Sequence, residues 1–168
     1  MEIKSLILIG LLFYFAIDDY KRYKINNKVI LISIILGIIL NFFDNNIFLS
    51  IKGIIIPFIF LYPLFIINIF PAGDIKILMF VGSILGYIDL FFIFVISIII
   101  SIIIVLVKYS KNNINFNHFF SYIKDCFFNK TIIKYNKESK IKFPFAVSMF
   151  LAVIIFFIFK NIQLIKLF

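Results

Sequence analysis

Pro71-Ala72-Gly73-Asp74-Ile75-Lys76 is a short polar break in a chain that is otherwise mostly Ile, Leu, Phe and Val. A carboxylate held against a membrane is costly, so an aspartate kept there marks a functional site by default. Gly73 can take backbone angles that other residues avoid, which lets the chain turn and brings Asp74 to a partner. The Ile-rich run after it reads as a helix. Asp74 then falls at or near a helix N-terminus, where the macrodipole favours its ionised form. Such an aspartate calls for a second one at the same membrane depth. Asp18-Asp19, at the end of the first apolar segment, supplies the candidate.

Composition sets the class. The chain has 168 residues, 64% of them hydrophobic, and a mean hydropathy of +1.15. A soluble domain would be about 45–50% apolar. The apolar residues come in runs of 13 to 20, the pattern of an all-α, polytopic membrane protein. Seventeen Lys+Arg against eight Asp+Glu give a net charge of +9. These basic residues flank apolar segments, as the positive-inside rule describes, and so do not argue for nucleic acid. The single cysteine, Cys126, has no internal disulfide partner. No Cys/His grouping has metal-ligand spacing, so neither a metal nor a cofactor is expected. Residues 1–17 have the charge and apolar core of a signal peptide. No small-x-small cleavage site follows, and the stretch reads as a retained first helix.

Five further segments follow in order. Residues 29–43 form the second, ended by Asp44-Asn45-Asn46, and residues 51–70 form the third, with Pro57 and Pro63 inside it. Interior prolines kink a helix, and in a membrane neighbouring helices satisfy the freed carbonyls. The run 75–107 is one long helix or two. A single helix would put residues 108–142, with their eight lysines, across the membrane from the basic stretch 21–28. A split at Gly86-Tyr87-Ile88-Asp89 returns both to one side, and the positive-inside rule favours it. The fourth segment, residues 75–88, then rises only about 21 Å against an apolar core of about 30 Å. Within 108–142, Phe116, Phe119, Phe120, Ile123 and Phe127 recur at helical spacing, which reads as an amphipathic helix on the membrane surface. His118 and Cys126 in that loop read as surface residues without chemistry. Residues 143–159 form the last segment. The expectation is one membrane-embedded domain, 1–168, of six helices. Its N-terminus lies outside, and loops 18–28, 70–76 and 108–142 lie in the cytoplasm.

Two carboxylates at one depth suit an aspartyl protease, because neighbouring like charges cannot both ionise and the pair shares a proton. The ionised member takes a proton from water, and the protonated one polarises the peptide carbonyl. Spacing alone leaves open that such aspartates only cap helices or pair with lysines.

The local sequence is more specific. Gly73-Asp74-Ile75-Lys76 resembles the G-x-G-D-x-K signature of type IV prepilin peptidases and preflagellin peptidases, with Pro71 or Ala72 in place of the first glycine. Asp19-Tyr20-Lys21-Arg22-Tyr23-Lys24-Ile25-Asn26-Asn27 resembles the family's D-x-[RK]-x-x-x-I-P-N, with Asn26 where proline is usual. Lys142-Phe143-Pro144-Phe145-Ala146 resembles its I-P-F-x-P segment before the last helix. The resemblance implies that Asp19 and Asp74 are the catalytic pair. Asp18 is the local rival and reads as a solvated helix-end charge. Asn27 is expected to order the turn after Asp19, and Pro144 to set the start of helix six. Lys76 is expected to hold a substrate carboxylate or a lipid phosphate, or to serve as an interfacial anchor. Asp89 falls at the outer turn and is left out.

The family's substrates are pilin, pseudopilin or archaeal flagellin precursors, which carry a short basic leader and then a hydrophobic helix. The implied partners are such a precursor and a bilayer with anionic headgroups; nucleic acid is not among them. Larger bacterial members add an N-terminal portion and also N-methylate their product. This chain begins at the first catalytic helix, so a peptidase without methyltransferase activity is expected. Presenilin-type proteases also use G-x-G-D, but their Y-D and P-A-L motifs are not found here. Two readings from other classes are a small transporter or channel with ion-carrying aspartates, and a non-catalytic pilus-assembly membrane protein. The former would set its carboxylates near the bilayer midplane on broken helices.

Overall fold

A computed structural model of the chain describes residues 3–22, 25–67, 70–111 and 144–166. They form six helices: α1 (Ile3–Arg22), α2 (Asn27–Phe43), α3 (Ile47–Ile66), α4 (Ala72–Leu85), α5 (Tyr87–Lys111) and α6 (Phe145–Lys166). Among the described residues there is no strand. The all-α expectation holds. The amphipathic helix expected around Phe116–Phe127 lies outside the described residues. Two helical stretches, Ile47–Ile66 and Tyr87–Val107, are long and apolar enough to cross a membrane. Many of the largest apolar side chains, Phe43, Phe48 and Phe60 among them, face outward, as lipid-facing positions do.

The run 75–107 is broken at Gly86. Its φ of +85° and ψ of 177° lie in a region essentially restricted to glycine. A Cβ there would also overlap the Leu49 side chain. The break comes at the head of the expected turn, so Tyr87 and Asp89 open α5 rather than closing α4. Helices α5 and α6 then run antiparallel. Asp89 near the start of α5 pairs with Lys160 at 3.0 Å, and Ser101 farther along bonds Ser148 Oγ at 2.8 Å.

Helix α4 is only 14 residues long, or about 21 Å. It packs against each of the other five helices. Ile75, Ile77, Leu78, Phe80, Val81, Gly82, Ser83 and Ile84 are all buried. A helix enclosed by protein need not match the bilayer thickness by itself, which resolves the shortness noted in the sequence. The tightest contact is with α3. Gly53 and Gly82 lie backbone to backbone, and a Cβ on either would overlap the other's carbonyl. Pro57 has no N–H to give the Gly53 carbonyl one turn back. That oxygen instead lies against the Gly82 backbone, the close approach that small residues permit between membrane helices.

The end of the bundle at the start of α1 is tied by polar groups. Buried Asn41 on α2 donates to the Ser83 carbonyl at 2.7 Å and the Ile84 carbonyl at 3.1 Å. It accepts from Lys4 at 2.6 Å. Lys4 also pairs with Asp44, and Ser50 Oγ bonds the Ser83 carbonyl. Four helices are thereby pinned at one end, with the buried amide satisfied as it must be.

Gly53→Val and Gly82→Val are expected to force α3 and α4 apart and to lower stability by about 1–3 kcal/mol, the usual cost of overpacking. Gly10→Val, where a Cβ meets nothing within 4 Å, should be neutral. Thermal unfolding in detergent distinguishes the three.

Candidate active site

At the opposite end of the bundle, the last turns of α1 meet the first turns of α4 and α6. Helix α1 does not stop with the apolar run at Ile17 but continues to Arg22. Lys21 and Arg22 in its last turn suit the negative end of the helix dipole. The extension sets Asp19 one helical step past Phe15 and Ala16, on the same buried face. Phe15 packs edge-on against Phe80 of α4, with ring centroids 5.7 Å apart. The packing of apolar rings thus carries Asp19 toward α4.

Asp74 lies in the first turn of α4, the expected place, but the helix dipole does not keep it ionised as expected, because burial outweighs it. Its backbone N–H bonds the Pro71 carbonyl at 3.2 Å. Both carboxyls sit just beyond the apolar stretches 3–17 and 75–85. Burial pushes the Asp74 carboxyl up to about 7, and the neighbouring Asp19 charge adds to the shift. Asp19 is buried with 6% of its surface exposed. Burial pushes its carboxyl up, a hydrogen bond from the Ala146 backbone works against that, and the Asp18 charge adds to the rise. The Ala146 N–H donates to Asp19 Oδ2 at 3.0 Å. Two carboxyls so held can keep one proton between them, and one can take a proton while the other gives one.

The other residues singled out in the sequence fall at the same end. Pro144 is buried directly before α6, and its carbonyl accepts from the Val147 N–H at 3.2 Å. Phe145 beside it packs edge-on against Phe70, 5.5 Å between centroids. Lys76 donates to Asn27 Oδ1 at 2.9 Å, tying α4 to the start of α2.

Two expectations need correction. Asn26, not Asn27, caps the helix that follows, and Asn27 instead accepts from Lys76. Asn26 is the N-cap of α2, and its side chain accepts from the Lys28 N–H at 3.0 Å. Asparagine is a favoured N-cap, so the signal was present in the sequence. Gly73 is not a turn residue either. It lies inside the first turn of α4 without a positive φ, and a Cβ there would meet nothing within 4 Å. Asp18 is less solvated than expected, with 14% of its side chain exposed, and pairs with Arg22 one turn on, at 3.4 Å. Asp89 belongs to the far end, as expected. Sequence reasoning missed Ala146, whose contribution is a backbone N–H that no side-chain pattern announces. Among the described residues, no three His, Cys, Asp or Glu side chains converge as a metal site requires.

A family model described as the type IV leader peptidase family matches residues 6–106, more than half of the chain. The chain belongs to the type IV leader peptidase family. It is therefore a peptidase, and its family together with its apolar helices points to a membrane protein. The stretch matched to the leader peptidase family contains Asp19, Asn27, Gly73, Asp74 and Lys76 and ends before α6. No curated protein and no solved structure matches the chain.

The Lys76–Asn27 bond joins two helix starts across the rim of this site. Lys76→Met and Asn27→Ala should each cost about 0.5–1 kcal/mol of stability, as an exposed hydrogen bond does. The double variant should cost no more than the larger single, because both remove one interaction. Thermal unfolding of the three variants measures this, and additive losses would show that the two residues act independently.

Proposed function

We propose that the protein is a membrane aspartyl endopeptidase. It removes the short basic leader of type IV pilin-like, pseudopilin or archaeal flagellin precursors at the cytoplasmic edge of the membrane. The meeting of Asp19 and Asp74 at one end of the bundle carries this reading, since each carboxyl is raised by burial and Asp19 adds to the shift of Asp74. Membership of the leader peptidase family supports it.

The reaction needs one carboxylate and one carboxylic acid. The carboxylate takes a proton from a water molecule as the water oxygen bonds the peptide carbonyl carbon. The acid gives its proton to the carbonyl oxygen, and a tetrahedral gem-diol forms. On collapse the C–N bond breaks, and the amine leaves with the proton first taken from water. A gem-diol hydroxyl returns its proton to the other carboxyl. Both aspartates regain their starting states, and no covalent enzyme intermediate is needed.

The position of the pair fits a bond at the edge of a hydrophobic helix. Both aspartates sit at helix ends, α1 by its C-terminus and α4 by its N-terminus. Ion-carrying aspartates of a transporter would instead lie at mid-helix. Lys21, Arg22 and Lys28 emerge at this end, and α5 ends toward it at Lys111. By the positive-inside rule, these basic residues support a cytoplasmic site. The supporting roles follow: Lys76 and Asn27 brace the rim, Pro144 sets the start of α6, and the open face of Gly73 leaves room for a substrate backbone beside Asp74.

Co-expression with a precursor of this type tests the proposal by mobility shift. Asp19→Asn and Asp74→Asn should each abolish cleavage while the protein still inserts, and the double variant should be no worse than either. Asp18→Asn should keep most activity, and an active Asp74→Asn would overturn the reading. The rate should also fall on both sides of an optimum. It drops at low pH, where both carboxyls are protonated, and above about 7, where Asp74 loses its proton. The two apparent values belong to the pair.

A further inference from the structure

We propose that the first turn of α6 is a positioning element of the active centre. By donating the Ala146 N–H to Asp19 Oδ2, it makes Asp19 the carboxylate that takes the proton from water and leaves Asp74 as the acid. This rests on the aspartyl peptidase reading and divides the labour within it.

The asymmetry is geometric. The first N–H groups of a helix have no partner within the helix. Ala146 is the second residue of α6, and its N–H is satisfied at 3.0 Å by a carboxylate from the other end of the sequence. A backbone N–H aimed at a carboxylate stabilises its ionised form. The dipole of a helix start does not separate the two carboxyls, because Asp74 also lies in the first turn of a helix. Asp74 has no such donor: among the described residues no hydrogen bond reaches its carboxyl. The charged groups around Asp19 are Asp18, which is paired with Arg22, and Asp74 itself. From α6, the described residues facing it bring no charge; Lys160 lies at the far end, held by Asp89. The first-turn N–H of α6 is thus the group that distinguishes one carboxyl from the other. Asp74 is raised to about 7 by burial and by Asp19, in keeping with its holding the proton.

The chain has four alanines, at 16, 72, 146 and 152. Protein labelled with 15N-alanine in lipid nanodiscs therefore gives a readable amide spectrum. The Ala146 amide should shift with the same midpoint as the acid limb of the rate profile. In Asp19→Asn that titration should vanish. An Ala146 amide that titrates with the alkaline limb, or not at all, overturns the division while leaving the dyad intact. Activity retained in Asp19→Asn or Asp74→Asn would instead refute the dyad itself. Ala146→Pro removes the N–H at a first-turn position where proline is tolerated. It should move the acid limb up by about one pH unit, the equivalent of one charge-assisted hydrogen bond. Ala146→Gly keeps the N–H and should leave the limb in place. An unmoved limb in an active Ala146→Pro protein would also overturn the proposal.

Discussion

Two carboxyl groups held together at the rim of an apolar bundle cannot both carry charge without cost. Much of the architecture can be read as the means of keeping the two within electrostatic reach of each other. Asp74 is carried by α4, the short helix that the other five enclose. Asp19 is carried by α1, which runs on past its apolar stretch to reach the same level. The cost is contained because one carboxyl receives a backbone hydrogen bond and the other is raised enough to keep a proton. In the proposed reaction that imbalance is the useful state, since hydrolysis needs one base and one acid.

The rest of the bundle acts at a distance from the aspartates but on the same geometry. Gly53 and Gly82 bring α3 and α4 to backbone contact, which fixes the axis of α4. The Asn41 cluster pins the opposite end, where Lys4, Ser50 and the Ser83 carbonyl meet. With one end tied by buried polar groups and the middle locked by glycines, the first turn of α4 has little freedom to withdraw from α1. Lys76 and Asn27 add a tie at the rim itself.

Much of this was legible in the sequence. Lysine placement argued for a break in the run 75–107, and the break lies at Gly86 because only glycine takes its φ and ψ. The position of Asp74 at a helix start followed from the apolar run behind it. Other features were not legible. Asn26 and Asn27 are adjacent and chemically identical, and motif alignment did not tell which of them caps α2. Gly73 suggested a turn because glycine permits one, yet α4 starts at Ala72 and takes the glycine into its first turn. The contact between Asp19 and Ala146 spans 127 positions and uses a backbone donor. No composition or spacing encodes such a bond; it exists only once α1 and α6 are packed.

The central claim is that Asp19 and Asp74 form one electrostatic unit, and a carboxyl titration tests it most directly. In protein labelled with 13C at the aspartate side-chain carboxyl, the Asp74 signal should titrate with a midpoint near 7. In Asp19→Asn the midpoint should fall, because the neighbouring negative charge is gone while the burial of Asp74 remains. An Asp74 midpoint that is unchanged by the loss of Asp19 would show that the two carboxyls do not interact, and would contradict the account.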